Sequence, residues 1–139
     1  MPLIVYKSSA GSGKTYTLVR EYVRLLIQNP SAFRNILAIT FTNKATAEMK
    51  SRIVSALTRL SAGNFKDYEA YLIKELYNDY RHTEADREKY ILQIRANARK
   101  ALQNILHNYS EFSVSTIDSF FQKILRSFTK ELKLPMRYE

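Results

Sequence analysis

The sequence has no cysteine, and only three glycines, three prolines and two histidines occur among its 139 residues. Without cysteine, a disulfide framework and a thiolate metal site are both excluded, and two histidines make a zinc site a poor interpretation. No apolar run approaches the roughly 20 residues that a membrane span needs, and the amino terminus lacks the layout of a signal peptide. We therefore expect a reducing, cytoplasmic setting and no membrane partner.

Acidic side chains are scarce in the first 60 residues, where nine Lys and Arg stand against Glu21 and Glu48. The rest of the chain is nearly balanced, and the formal net charge is +9. A basic excess of this kind favours a polyanionic partner such as nucleic acid. A basic protein without such a partner would show the same composition, so the charge alone leaves both interpretations open.

Two of the three glycines stand close together, directly after the apolar stretch Leu3–Tyr6, in the segment Ser8, Ser9, Ala10, Gly11, Ser12, Gly13, Lys14 and Thr15. This order predicts a strand, a glycine-bearing loop and a helix, whose backbone N–H groups hold nucleotide phosphates. Lys14 would reach the β- and γ-phosphates, and the Thr15 hydroxyl would ligate Mg²⁺. The P-loop pattern has a leading glycine where this chain has Ser8. A chance Gly-Lys-Thr in a connecting loop is the alternative.

Hydrophobic periodicity predicts an α/β protein of one domain, with a parallel sheet flanked by helices. The run 36–41 is almost continuously apolar, as expected for a strand buried on both faces. In the last helix, Phe120 and Phe121 share helical spacing with Ile124 and Phe128, which predicts core packing for at least one of the two adjacent phenylalanines. The predicted elements are strands at 3–6, 36–41 and 112–116 and helices at about 14–28, 46–60, 67–78, 84–108 and 117–133.

Two further segments leave a predicted strand and enter a helix with polar side chains. In the first, Thr42, Asn43 and Lys44 would stand at the carboxyl end of a strand, where open α/β sheets bind ligands; capping of the helix by Thr42 or Asn43 is an equally good explanation. In the second segment, residues 113–121, Phe120 or Phe121 could stack on a nucleic-acid base. Ser115 would start that helix as a cap.

Taken together, three segments in this order resemble the first motifs of the UvrD/Rep-type superfamily 1 DNA helicases: Ala10–Thr15, Ala38–Ala45 with Glu48 and Met49, and Ser115–Phe120. The missing leading glycine and the long helical stretch between the second and third motifs look most like the RecB/AddA helicase–nuclease branch. The resemblance implies that residues 1–139 are the N-terminal part of a RecA-like motor 1A domain. It also implies a helical insertion at about 61–110, between the second and third strands.

The resemblance also implies site residues. Ser8 to Thr15 would bind ATP, with Lys14 and Thr15 as the catalytic residues on the phosphates and Mg²⁺. Single-stranded DNA, at a duplex end, would contact Thr42, Asn43, Lys44, Thr116, Ser119 and Phe120. The family commonly has His where this chain has Asp118, and because a carboxylate repels a phosphate backbone, we do not expect Asp118 to contact DNA.

Other parts of the family pattern are absent from the sequence. No Asp-Glu pair ends an apolar strand, and the arginine finger of the family comes from a second motor domain. We therefore expect the chain to be a piece of a larger helicase that hydrolyses almost no ATP alone. Its partners would be the rest of the helicase chain and a nuclease subunit, in DNA repair or recombination. A non-catalytic nucleotide- and nucleic-acid-binding module and a P-loop small-molecule kinase are the two alternatives.

Overall fold

A computed structural model describes residues 12–77 and 84–132, with side chains from Tyr16 onward. The predicted first strand at 3–6 and the loop residues 8–11 lie outside the described residues. The described helices are α1 (Ser12–Gln28), α2 (Asn43–Ser61), α3 (Lys66–Leu76), α4 (Glu84–His107) and α5 (Ile117–Glu131), and the strands are β1 (Ala38–Thr40) and β2 (Val114–Thr116). Short 3₁₀ turns at Ala32–Asn35 and Tyr109–Glu111 precede the two strands.

The two strands lie side by side and run parallel, with Ala38 opposite Val114 and Thr40 opposite Thr116. Helices α2, α3 and α4 separate them along the chain. The described part of the chain is thus a helix-rich α/β structure with a small parallel sheet. This confirms the predicted class in coarse form, and the larger RecA-like sheet stays a prediction.

The core lies between α1, α2, α3 and α4, and the most extensive contact is between α2 and α4. Helical spacing predicts an apolar face on α2 at Met49, Ile53, Leu57 and Leu60, and it is confirmed, because all four are buried. The same spacing predicts a stripe on α4 at Ile91, Ile94, Ala98, Leu102 and Ile105. Ile94, Ala98 and Ile105 are buried as predicted, whereas the other two are partly buried. No described helix is both long and apolar enough to cross a lipid bilayer.

Helix α1 turns a slightly different face to the core than its spacing predicts. The spacing predicts a face made of Leu18, Tyr22, Leu25 and Leu26. Tyr22 and Leu26 are buried as predicted, but Leu18 and Leu25 are only partly covered, and Val19 and Val23 are buried as well. Because α1 packs against both α2 and α4, its contact face is wide and is centred on the valines.

The prediction of a strand buried on both faces is wrong for β1. Only three residues of the run form the strand, and exposure alternates along it, with Leu37, Ile39 and Phe41 exposed. Alternation is what a strand shows when one face packs and the other does not. The packed face of β1 lies against α2, and the apolar run in the sequence does not reveal that the other face is uncovered.

The predicted core role for the phenylalanines of α5 is also wrong. No residue of α5 is buried: Phe120 is half-covered, and Phe121, Ile124 and Phe128 are exposed. Among the described elements, its main contacts are with β1 and β2. The predicted helical spacing is correct, but within the described residues the apolar stripe is not buried against another element.

Candidate nucleic-acid interface

The two polar segments that follow the strands meet at one edge of the sheet. Since Thr40 and Thr116 are register partners in parallel strands, the helices that begin after them both start at the carboxyl edge. Thr42 is the N-cap of α2, and its Oγ1 accepts from the N–H of Ala45 at 3.0 Å. Thr116 is the N-cap of α5, and its Oγ1 accepts from the N–H of Ser119 at 3.2 Å. Two capped helix N-termini therefore lie next to each other.

The cap of α5 is not the predicted one. The sequence predicts Ser115 as the cap, but Ser115 belongs to β2 and the capping hydroxyl is on Thr116. The Thr116 hydroxyl also donates to Ser119 Oγ at 3.0 Å. Because β2 continues through Thr116, the cap lies one residue later than predicted.

Hydroxyl groups join the elements at this edge. Thr40 Oγ1 lies 2.5 Å from Thr46 Oγ1 and within hydrogen-bond distance of the carbonyl oxygens of Thr42, at 3.2 Å, and Ser115, at 3.4 Å, and its single proton can be donated to one of these oxygens at a time. Thr46 Oγ1 also donates to the Thr42 carbonyl at 3.2 Å. Thr40 thus joins β1, the start of α2 and the end of β2, which fixes the two helix N-termini relative to each other.

The predicted DNA-contacting residues differ in accessibility. Thr42, Asn43, Lys44 and Ser119 are exposed. Phe120 is half-covered, whereas Thr116 is only 8% exposed and its hydroxyl is used by the cap. The edge therefore offers polar side chains and one lysine from α2, together with Ser119 from α5.

The first turn of α2 contains no acidic residue, whereas the first turn of α5 contains Asp118. A helix N-terminus carries partial positive charge and favours anions. Both dipoles point at the edge, and Lys44 adds a full positive charge beside them. The α2 side of the edge is thus the more favourable place for an anion.

Sequence reasoning missed two residues of this edge. Phe41, between the strand and the cap of α2, is 72% exposed, and a phenylalanine that interrupts polar residues at a strand end is the pattern that could have indicated it. Thr40 falls within the predicted buried strand, and its bridging role depends on the partner strand, which the sequence does not specify.

The candidate nucleotide residues are described only in part. Ser12 to Thr15 form the first turn of α1, which agrees with a helix that opens at the end of the glycine-bearing loop. Their side chains, and Ser8 to Gly11 altogether, lie outside the described residues. Within the residues that the structure describes, no three His, Asp or Glu side chains come together as a metal site.

Residues 2–139 match the family described as UvrD/REP helicase N-terminal domain. The chain belongs to this family. The match covers nearly the whole sequence and all three motif segments, and it confirms the resemblance drawn from them. Membership favours the helicase interpretation over a small-molecule kinase.

The relatives of this UvrD/REP family chain include proteins named as subunits of helicase–nuclease enzymes and a protein named as a DNA helicase. The chain is 32% identical over 137 residues to an ATP-dependent helicase/nuclease subunit of Bacillus cytotoxicus, which covers 97% of the chain and 8% of that relative. It is 33% identical over 112 residues to "RecBCD enzyme subunit RecB" of Borreliella burgdorferi, covering 78% of the chain and 9% of the relative. Over 56 residues, 40% of the chain and 7% of the relative, it is 50% identical to "ATP-dependent DNA helicase PcrA" of Bacillus subtilis.

The chain thus spans less than one tenth of the length of these relatives. No solved structure matches it.

Proposed function

We propose that this chain is the N-terminal part of the motor 1A domain of an ATP-dependent DNA helicase, with a helical insertion at about 61–110. In this proposal ATP binds at Ser8–Thr15, single-stranded DNA crosses the carboxyl edge of β1 and β2, and the protein acts in DNA repair or recombination. The observation that carries the proposal is the pair of helix N-termini, capped by Thr42 and Thr116, that meet at this edge.

The DNA side is supported by the chemistry of the edge. The N–H groups in the first turn of a helix have no acceptor within the helix, and a cap bonds only some of them. A phosphate can accept hydrogen bonds from the others. Lys44 would add a charge-assisted hydrogen bond to a phosphate oxygen. The side chains of Asn43 and Ser119 are exposed and could donate hydrogen bonds to the sugar–phosphate backbone of the DNA. Such contacts fix a strand in position without reading its sequence.

The ATP side is supported by the first turn of α1, in which Lys14 and Thr15 stand. Backbone N–H groups at this helix start and Lys14 would bind the phosphates, and the Thr15 hydroxyl would hold Mg²⁺. When bound, Mg²⁺ would neutralise developing charge on the transferred phosphoryl group. Because the sequence has no Asp-Glu pair at a strand end, the acids that complete the site would have to come from elsewhere in the helicase.

The proposed partners follow the names of the relatives. Two of them are named as subunits, of a helicase/nuclease and of the RecBCD enzyme. By that likeness we propose that the full protein has a second motor domain and works with a nuclease subunit.

The DNA part is tested by fluorescence anisotropy with labelled oligo-dT over a series of salt concentrations. Lys44→Ala should weaken binding and reduce the log–log salt slope by roughly 0.7, the value for one phosphate contact on a single strand. Lys100→Ala is the matched control, because Lys100 is an exposed lysine of α4 far along the chain from the edge. Equal behaviour of the two variants would leave Thr42–Lys44 as a helix start and no more.

The ATP part is tested separately by calorimetric titration with Mg·ATP. Lys14→Ala should abolish the phosphate-dependent part of the affinity, since it removes the charge aimed at the β- and γ-phosphates. Lys7→Ala, which removes the same charge outside the motif, is the control. Unchanged affinity in Lys14→Ala would refute the P-loop assignment without touching the DNA result.

A further inference from the structure

A cavity of about 350 Å³ lies between α1, α2 and α3, away from the sheet edge. Three arginines line it, Arg20 from α1 and Arg52 and Arg59 from α2. Hydroxyl groups from Ser51 and Ser55 stand on the same side of α2. Three cationic and two hydroxyl side chains, all potential ligands of an anion, thus surround one space.

Arg20 has an unusual environment for an arginine. Its guanidinium carbon lies 3.6 Å from the centroid of the Tyr71 ring and 5.4 Å from that of Tyr16. Its Nε is buried, and among the described residues it has no hydrogen-bond acceptor. Ring faces stabilise a cation, but they do not neutralise it, so Arg20 keeps its charge unpaired by any carboxylate in the described structure.

The other two arginines are also held in place. Arg59 stacks on the Phe65 ring, with its guanidinium carbon 3.7 Å from the ring centroid, and donates to the carbonyl oxygen of Asn64 at 3.3 Å. Arg52 donates to Glu48 at 2.5 Å. Within the described residues, Arg52 is therefore the arginine of this cavity that forms a salt bridge with an acid.

No acidic side chain lines the cavity in the described part of the chain. The acids next to the lining residues on α1 and α3 are already bound: Glu21 accepts from Arg24 at 2.7 Å, and Glu69 accepts from Arg95 at 3.0 Å. Tyr68, which also lines the cavity, donates its hydroxyl to the carbonyl oxygen of Arg20 at 2.7 Å, and burial raises its pKa well above the ordinary value. It therefore stays neutral and adds no negative charge.

We propose that this cavity is a second nucleic-acid contact, which binds backbone phosphates of a single DNA strand that has passed the sheet edge. Arg52 and Arg59 are seven residues apart on α2, which is about 10 Å along a helix. Together with Arg20 on the facing helix α1, they provide enough cationic groups for more than one phosphate of a polyanionic strand. The half-exposed ring of Tyr16 at the rim offers a face on which a base can stack, as aromatic rings do in single-strand-binding proteins.

The cavity is separate from the proposed edge. Ser51 and Arg59 follow Asn43 by eight and sixteen residues, about 12 and 24 Å along the axis of α2. A strand that contacts both places must extend over this distance, so a long strand makes more contacts with the two sites together than a short one. The inference rests on the proposed function for its ligand class, nucleic acid. Comparison of short and long strands distinguishes the cavity from the sheet edge.

The test compares labelled oligo-dT of about 4 and about 16 nucleotides, the range of site sizes of single-strand-binding folds. The variant Arg52→Gln/Arg59→Gln should weaken binding of the long strand more than binding of the short one, with a salt slope for the long strand smaller by about 1.4, the value for two phosphates. Arg87→Gln/Arg99→Gln, which removes two exposed arginines of α4, is the matched control and should change neither.

Because Arg59 packs on Phe65, a second variant protects the test from misfolding. Ser55→Glu keeps all three arginines and places a carboxylate in the cavity, and it should weaken binding of the long strand, whereas Ser55→Gln should not. Long-strand binding unchanged in the arginine and Ser55→Glu variants would overturn the inference. If Lys44→Ala still weakens binding in that case, the proposed function survives; if it has no effect either, both fail. Loss of Mg·ATP affinity in the arginine variant would also overturn the inference, because the cavity would then belong to the nucleotide.

Discussion

Two buried tyrosines show that a tyrosine hydroxyl can contribute differently to stability at different positions. Tyr68 donates to the carbonyl oxygen of Arg20, whereas the hydroxyl of Tyr22 is buried without a hydrogen-bond partner in the described residues. Burial raises the pKa of both side chains above the ordinary value of a tyrosine. The ring of Tyr22 packs edge-on against Phe112, with the centroids 5.7 Å apart. The ring is thus useful at both positions, but the hydroxyl is useful only at Tyr68.

Phenylalanine at each position should separate the ring from the hydroxyl. Tyr68→Phe should lower the free energy of unfolding by about 1 kcal/mol, the net value of an intramolecular hydrogen bond. Tyr22→Phe should leave that free energy unchanged or raise it, because an unsatisfied buried polar group costs about 1–3 kcal/mol. Urea denaturation followed by circular dichroism measures both, and equal losses would contradict the assignment.

At the scale of elements, helices were easier to predict than the surroundings of strands. The core face of α2 follows from the spacing of Met49, Ile53 and Leu57, which any 3.6-residue period reveals. The exposed face of β1 does not follow from the run 36–41, because its burial depends on what lies across the sheet. The same limit applies to the site: the sequence places Lys44 at a strand end, but only the pairing of Thr40 with Thr116 brings α5 beside it.

The turn between α2 and α3 depends on Gly63. Its φ is +74°, in the left-handed region, and a Cβ there would lie 2.8 Å from Cζ of Arg95. Since Arg95 is the flexible partner of the buried Glu69, it can move only by weakening that ion pair.

Gly63→Ala should therefore lower the free energy of unfolding by at least the roughly 1–2 kcal/mol that the left-handed conformation costs a residue with a Cβ. Gly63→Asn should cost less, because asparagine adopts this conformation more readily. Thermal denaturation of the three proteins gives the order. A stable Gly63→Ala variant would show that the turn does not need the positive φ.

At the scale of the whole molecule, α5 carries an extensive uncovered apolar surface in the described part of the chain. Its exposed apolar side chains are Ile117, Phe121, Ile124, Leu125 and Phe128, and Leu132 follows directly after the helix. The exposed side chains of Ile39 in β1 and of Phe41 directly after it extend the uncovered apolar surface, since α5 packs against the strands. Contiguous apolar patches of this kind are uncommon on monomers and mark surfaces that associate.

The chain on its own should accordingly associate as its concentration rises. Phe121→Ser/Phe128→Ser should shift the sedimentation distribution toward the monomer, because it removes two aromatic side chains from the patch. Gln122→Ser, on the same helix, is the control and should leave the distribution as it is. A wild-type chain that stays monomeric at all concentrations would contradict the prediction.

The pairing of Ala38 with Val114 also bears on the order in which the molecule assembles. Every residue of α2, α3 and α4 lies in the loop that this pairing closes, and closing a long loop costs entropy before the strand contacts repay it. The pairs α1–α2 and α3–α4 close shorter loops, whereas the contact of α1 with α4 closes a loop of similar length. We therefore expect the two local helix pairs to form before the parallel strands join. The edge with its two helix N-termini needs the strand pairing, so a molecule in which only those helix pairs have formed has no interface.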